Sequence, residues 1–303
     1  MNMREWVAKP GQYWTEAFPQ CADPACSRAG GIWRRLRMRP GTWLHDDWYC
    51  SPQCFEIAVK KRLMRASLPV VPPQPIRHRI PLGLLMLSRG QVTNRQLRSA
   101  LEAQRSNGSG RIGHWLEELG FATEQQVTAA LGLQWACPVL PVFRAQELEA
   151  GRMLPFRLLE RFRMMPVRYV AQTNLFYMAF SDGVDYTALY AIEQMMGCRT
   201  EPCLISASLM DLALEHLAHA PRSHDLLFES MRDAAEMARI TSSYVLKLGT
   251  EGVRVVGCGE HLWVRLEVKK DEMTNLLFQR TASGGEEKPL AHQHQGLRHG
   301  ATH

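Results

Sequence analysis

Residues 81–104, PLGLLMLSRGQVTNRQLRSALEAQ, and residues 111–134, RIGHWLEELGFATEQQVTAALGLQ, are one unit written twice at an offset of 30. The copies share Gly83/Gly113, Gly90/Gly120, Thr93/Thr123, Gln96/Gln126, Ala100/Ala130, Leu101/Leu131 and Gln104/Gln134. A unit that cannot bury its own apolar face is commonly paired with a copy of itself, so this repeat organises the fold around it. Within each copy the apolar residues keep helical spacing: Leu82, Leu85 and Met86, then Ile112, Trp115, Leu116 and Leu119. Gly90 and Gly120 stand where a helix ends in a left-handed residue. Thr93-x-x-Gln96 and Thr123-x-x-Gln126 are capping boxes that open a second helix in each copy. The spacing therefore predicts two helical hairpins. Gly83 and Gly113 fall at helix starts, where glycine is favoured only if backbone or ligand approaches closely. The recurring Gln104 and Gln134 carry amides of the kind that reads a base edge by paired hydrogen bonds.

Upstream, Cys21, Cys26, Cys50 and Cys54 form two pairs, C-x4-C and C-x3-C. Pro52 suits the first turn of a helix, which lets Cys50 and Cys54 face one ion. The choice lies between four buried free thiols and a structural zinc closed by four thiolates, and the spacing favours zinc. His45 is a further candidate ligand, though between Leu44 and Asp46 it reads as an exposed side chain. A hairpin is expected within 32–49, turning at Pro40-Gly41. The run WRRLRMR, 33–39, places Arg35, Arg37 and Arg39 on one strand face. That face is either a phosphate-binding stripe or a solvated surface. Prolines 69, 72, 73 and 75 mark a stiff linker over 68–79.

Downstream the pattern becomes α/β. Strands are expected at 139–143, 165–170, 175–180 and 200–205, and helices at 155–163, 186–196 and 208–219. Ser181, Asp182 and Asp185 lie between strand and helix, where Asp is the ordinary N-cap, so capping is preferred to catalysis. Cys198 and Cys203 read as buried cysteines. Residues 225–248 are expected as one long helix stopped by Gly249, followed by a hairpin of 253–256 and 262–267. The His-rich stretch from 281 onward has little apolar content and reads as a disordered tail over 281–303.

The 303 residues carry a net charge of +6, which permits contact with anionic lipid or nucleic acid without demanding either. No 18-residue apolar run exists, and MNMREWVAKPGQYW has no apolar signal core, so the expectation is a cytosolic chain with reduced thiols. No G-x-x-x-x-G-K-[ST] occurs in the 303 residues, so no phosphate-cradling loop of that type is expected.

The repeated pattern LG-x-x-[apolar]-x-x-x-G-x6-[apolar]-x-x-x-L-x-x-Q is similar to the MshEN domain at the N-terminus of type II secretion and type IV pilus assembly ATPases of the GspE/PilB kind. The α/β succession after it also resembles that domain, extending the likeness over about 76–220. The segment WYCSPQCFEIAVKKRL resembles FCS/TRASH-like treble-clef zinc fingers, with x4 where their first knuckle has x2. The first resemblance implies docking on inner-membrane assembly proteins and, in some members, binding of cyclic di-GMP with half of the dinucleotide on each copy. Carried over, the nucleotide residues would be Leu82, Gly83, Leu97, Leu101, Gln104, Arg111, Ile112, Gly113, Leu131 and Gln134. The first copy departs from the binding pattern, with Pro81 in place of Arg and a spacer, RSNGSG, stretched by one residue. Arg79 stands two residues upstream as a substitute.

The expected protein is thus an α+β multidomain chain. It has a zinc-bound module at 1–67, a linker at 68–79, and a secretion-ATPase N-terminal-like domain at 80–220, with the tandem motif at 81–134 and the α/β part at 136–220. A helix plus hairpin at 221–280 and the tail complete it. Its expected function is non-catalytic, that of a regulator or adaptor whose partners are secretion or pilus proteins, cytosolic or held at the inner membrane through them. The alternatives are a cyclic di-GMP sensor and a nucleic-acid-binding zinc module, nucleic acid being the less favoured partner.

Overall fold

The computed structural model describes residues 19–26, 41–68, 79–142, 151–219, 224–231, 233–268 and 273–280. The basic run at 33–39, the proline linker and the 281–303 tail lie outside them.

Two short strands, β1 (Thr42–Leu44) and β2 (Asp47–Tyr49), pair antiparallel with Trp43 opposite Trp48. The hairpin turns at His45-Asp46, with His45 at φ 55°, and not at Pro40-Gly41. Gly41 instead lies under the Trp48 indole, where a Cβ would come within 2.2 Å of Cζ2. Helix α1 (Pro52–Ala66) follows; Ser51 caps it by accepting from the Cys54 N–H, and it buries Cys54, Phe55, Val59 and Leu63.

The tandem block contains four helices, α2 (Leu82–Ser88), α3 (Asn94–Asn107), α4 (Ile112–Glu118) and α5 (Glu124–Trp135). Both capping boxes form in full, and Gly90 and Gly120 share the same left-handed φ of 68°. Leu82, Met86, Leu97, Leu116 and Val127 make its core.

The α/β layer comprises α6 (Phe156–Arg161), β3 (Met164–Val170), β4 (Leu175–Phe180), α7 (Tyr186–Met196), β5 (Arg199–Leu204) and α8 (Ala207–His219). Arg163, at φ 43°, turns the chain out of α6 into β3. Its sheet runs β3-β4-β5, antiparallel then parallel, over a core that includes Phe176, Phe180, Met164 and Ile192. Of the strand expected at 139–143, the described residues 139–142 form a single parallel bridge, Val139 to Leu204.

After the layer, the chain does not continue as one helix from 225. It forms strand β6 (His224–Met231), then α9 (Ala234–Leu248), capped by Asp233, then β7 (Gly252–Cys258), β8 (His261–Glu267) and β9 (Met273–Arg280). Leu226, Leu227 and Phe228 are drawn into a strand by parallel pairing with Leu276, Leu277 and Phe278.

The segments expected as separate units at 1–67 and 221–280 share one six-stranded sheet, ordered β2-β1-β7-β8-β9-β6. Trp43 and Leu44 pair in parallel with Gly252 and Val253. The Val255 N–H donates to His45 Nε2 at 3.0 Å. The carbonyl of Ala66 lies so close to Gly257 that a Cβ there would sit 2.3 Å away. Arg280 donates to the Ser67 carbonyl. Phe55, Val59 and Leu63 therefore sit in one core with Val253, Val264, Leu276 and Phe278. The tandem block and α/β layer are an insertion in this sheet-and-helix unit.

The two bodies are joined by Val256, Cys258, Trp263 and Leu277, which pack into the core of the α/β layer, and by a buried polar network. Arg265, 3% exposed, donates to Asn275 Oδ1 at 3.3 Å and to the Met153 carbonyl. Asn275 Nδ2 donates to Asp225 Oδ1 at 2.8 Å, and Asp225 Oδ2 accepts from the Phe156 N–H at 3.2 Å. Burial lowers the Arg265 pKa to about 10, which leaves it charged at neutral pH.

Candidate metal centre and tandem ligand site

The strand pair and α1 bring four thiols together. Cys21 and Cys26 lie on a turn held to the hairpin by the Ala22 N–H donating to the Trp48 carbonyl at 2.9 Å, and Cys26 N–H closes on Asp23 at 3.0 Å. Cys50 ends the hairpin, and Cys54 sits in the first turn of α1. All four sulfurs lie within 4.8 Å of one another, and those of Cys26 and Cys50 are 3.5 Å apart. A tetrahedron of sulfurs about 2.3 Å from a metal has edges of about 3.8 Å, so this set matches the size of a four-thiolate site. Burial and the neighbouring thiols raise Cys50 to about 11 and Cys54 to about 12. The four residues can hold a metal ion.

His45 is not in that group. Its Nε2 accepts the Val255 N–H, which fixes the proton on Nδ1, and burial with Arg62 and Arg254 nearby lowers its pKa to about 4. Cys198, Cys203 and Cys258 are buried, and burial raises the first two to about 11 and about 12.

In the tandem block, Gln104 Nε2 donates to the Gly110 carbonyl at 2.8 Å and Gln134 Nε2 donates to the Ile80 carbonyl at 2.7 Å. Residues 80 and 110 are themselves one repeat apart, so each copy is tied by its last residue to the entry of the other. One N–H of each amide is engaged in this closure. Gly83 and Gly113 answer to packing: a Cβ on Gly83 would meet Leu97 Cδ1 at 2.6 Å, and one on Gly113 would meet Val127 Cγ1 at 2.8 Å. Leu82, Gly83, Leu97 and Gly113 are buried, while Leu101, Ile112 and Leu131 are partly buried against the same core.

Arg111 is exposed at the start of α4, and its guanidinium donates to the Asp182 carbonyl in the α/β layer. Pro81 caps α2 at the matching place. Arg79 lies 3.3 Å over the Trp135 ring, whose other neighbours are Tyr186 and Gly183. Trp135 is one residue past the repeat and carried no motif signal, so sequence reasoning did not select it. Asp185 caps α7 through the Ala188 N–H at 2.9 Å, and Asp182 lies 3.7 Å from Arg163, so both carboxylates have structural work. A second tie between block and layer is Glu124, whose carboxylate accepts from the Ser208 N–H at 2.7 Å and hydroxyl at 2.6 Å at the start of α8.

No family model matches the chain, and no curated protein does. Among solved structures, the chain is similar to MshE determined with cdg (cyclic di-GMP), at 28% identity over 46% of this chain and 99% of that one, with a TM-score of 0.40. It is also similar to the N-terminal domain of XpsE in two crystal forms. One overlap has 18% identity over 45% of this chain and 92% of the other, with a TM-score of 0.33; the second has 20%, 43%, 89% and 0.26.

Proposed function

We propose that this chain is a non-catalytic regulatory or adaptor protein that docks on cytoplasmic-side assembly proteins of a type II secretion or type IV pilus machine. The observation that carries this reading is the surface at the repeat's closure. Ile80, 59% exposed, and Leu133, 53% exposed, flank the Gln134–Ile80 bond, and Leu84, 52% exposed, lies one turn further on. The repeat is tied to the α/β layer at Arg111 and Glu124 and leaves these apolar side chains open to solvent. Such exposed clusters mark protein contacts. The test is a pull-down of purified assembly proteins by the full chain, with Leu84→Glu and Leu133→Glu as controls. Retention that both variants abolish supports docking here; no retention of any assembly protein ends this reading.

A second reading, a cyclic di-GMP sensor, is favoured by the two guanidinium groups at the repeat. Arg111 begins the second copy, and Arg79, which lies over Trp135, would take the part left open by Pro81. The ligand would contact Leu82, Gly83, Leu97, Leu101, Gln104, Arg111, Ile112, Gly113, Leu131 and Gln134. Titration calorimetry with cyclic di-GMP decides it: heat lost in Arg111→Ala and Arg79→Ala supports the site, and no heat with the unaltered protein ends it.

Cys21, Cys26, Cys50 and Cys54 would hold zinc, a closed thiolate set that supplies structure and leaves no open position for a reacting water. Elemental analysis of the purified chain, compared with Cys54→Ser, checks both the metal and the ligand.

A further inference from the structure

The inner face of α1 is spent on the shared core, through Phe55, Val59 and Leu63. Its outer face is unusual. Ile57 is 49% exposed, Met64 55%, and Leu68, just past the helix end, 64%. The three recur at helical spacing and form one stripe about 16 Å long at the α-helical rise. Single exposed apolar residues are ordinary; three sharing one face of an otherwise well-packed helix, with Lys60 and Lys61 set between Ile57 and Met64, are not.

Cations border this stripe. Lys60, Lys61 and Arg65 are exposed and Arg62 is half-buried, and none forms an ion pair among the described residues. Along one side of the stripe, α1 forms a wall of a groove of about 170 Å³. Ile57, Lys61, Arg62 and Arg65 line it from the helix, and Asp23 and Asp47 line it from the cysteine turn and the hairpin.

We propose that the outer face of α1 and this groove bind an acidic amphipathic helix of a protein partner. The surface is distinct from the one assigned above to assembly proteins. Apolar side chains of the incoming helix would cover Ile57, Met64 and Leu68, while its Glu or Asp residues face Lys60, Lys61 and Arg65. Charge complementarity selects the sign of the partner. The groove favours a protein over an anionic bilayer: Asp23 and Asp47 on the far wall repel a continuous sheet of lipid phosphates, whereas a helix can confine its acidic residues to the flanks over Lys60, Lys61 and Arg65 and set no charge against them.

The experiment uses the full chain and a labelled synthetic helix of about 20 residues, long enough to be helical in water. Leu repeats at i, i+4, i+7 and i+11, with Glu on both flanks; a second peptide carries Lys in place of every Glu. Fluorescence anisotropy is expected to show saturable binding of the Glu peptide and about tenfold weaker binding of the Lys peptide. Met64→Glu should weaken the Glu peptide by about tenfold, and Lys61→Glu with Arg65→Glu should reverse the preference between peptides. These side chains are exposed, so the variants are expected to keep the thermal midpoint of the parent. Absence of saturable binding, equal binding of the two peptides, or indifference to the variants overturns the proposal. Co-sedimentation with phosphatidylglycerol vesicles in the absence of peptide binding overturns it in favour of a lipid surface.

Discussion

Gln104 and Gln134 make the same bond in opposite directions. Gln104 reaches forward six residues to the Gly110 carbonyl at 2.8 Å, and Gln134 reaches back 54 residues to the Ile80 carbonyl at 2.7 Å. Together they turn a linear duplication into a closed pair. Each is a solvent-exposed bond to a backbone carbonyl, at the low end of the roughly 0.5–1.5 kcal/mol range for such bonds. Gln104→Ala and Gln134→Ala should therefore each lower unfolding stability by about that amount in urea titration. Because both bonds brace one interface, the double variant should lose less than the sum, by roughly 0.5 kcal/mol. Strict additivity would mean that the two ties act independently.

A glycine at a helix start ordinarily gains stability on replacement by alanine, by about 1 kcal/mol. Gly83 and Gly113 should reverse that sign, and unequally. The Cβ of Gly113→Ala would press on Val127 Cγ1 at 2.8 Å and Leu82 Cδ2 at 3.3 Å, and the β-branched valine is held to one rotamer in a helix. The Cβ of Gly83→Ala presses on a leucine terminus, Leu97 Cδ1, which turns aside more easily. Gly113→Ala is expected to cost about 1–3 kcal/mol and Gly83→Ala less. Restoration of Gly113→Ala by Val127→Ala, seen as recovery of the melting midpoint, would identify packing as the cause.

The repeat was legible because its signals are local: Thr93 with Gln96, Thr123 with Gln126, and Gly90 with Gly120 each act within a single turn, and all form as expected. Non-local pairing was not legible. Leu226, Leu227, Phe228 and Met231 fit a helix as well as a strand, and the choice is made by Leu227 lying beside Leu277, fifty residues on. Strand β9 escaped for the same reason. Nothing local announces that Trp43 pairs with Gly252, although that contact fuses the two ends of the chain into one sheet. At the candidate site the four cysteines were legible from spacing and do converge. Gln104 and Gln134 suggested ligand-reading amides, yet their bonds here are to backbone.

The cysteine cluster adjoins the core shared by α1 and the C-terminal strands. A metal held by these four thiolates would make its binding and the formation of that core one linked equilibrium. Stripping metal with a strong chelator should loosen 42–66 and, at a distance of about two hundred residues in sequence, strand β7, which pairs with β1. The α/β layer draws most of its core from 154–217, around Phe176 and Phe180, and meets β7 only through Val256 and Cys258, so it should lose less protection than 42–66 and β7. Hydrogen exchange read by mass spectrometry separates these segments. Uniform loss across the chain would contradict the linkage to one unit, and no change in 42–66 or β7 would contradict a structural metal.

His45 gives the same joint a pH dependence. Its Nε2 accepts the Val255 N–H at 3.0 Å, so the ring serves the β1–β7 contact only when neutral. Burial, with Arg62 and Arg254 close by, lowers its pKa from the ordinary 6.5 to about 4. The folded protein thus binds this proton more weakly than the unfolded chain does. The stabilisation is present above about pH 6.5 and is lost as the pH falls toward 4. Allowing for the ring's partial exposure, the loss amounts to roughly 1–2 kcal/mol across that window. His45→Asn tolerates the left-handed backbone at φ 55° and removes the titrating group. The variant starts less stable at pH 7, but its unfolding midpoint should fall less between pH 6.5 and 4.5 than that of the parent. His261, whose pKa is also lowered by burial, and any metal held by the four cysteine thiolates contribute to the pH dependence that remains. Parallel curves for parent and variant would show that protonation of His45 is not what weakens the joint in acid.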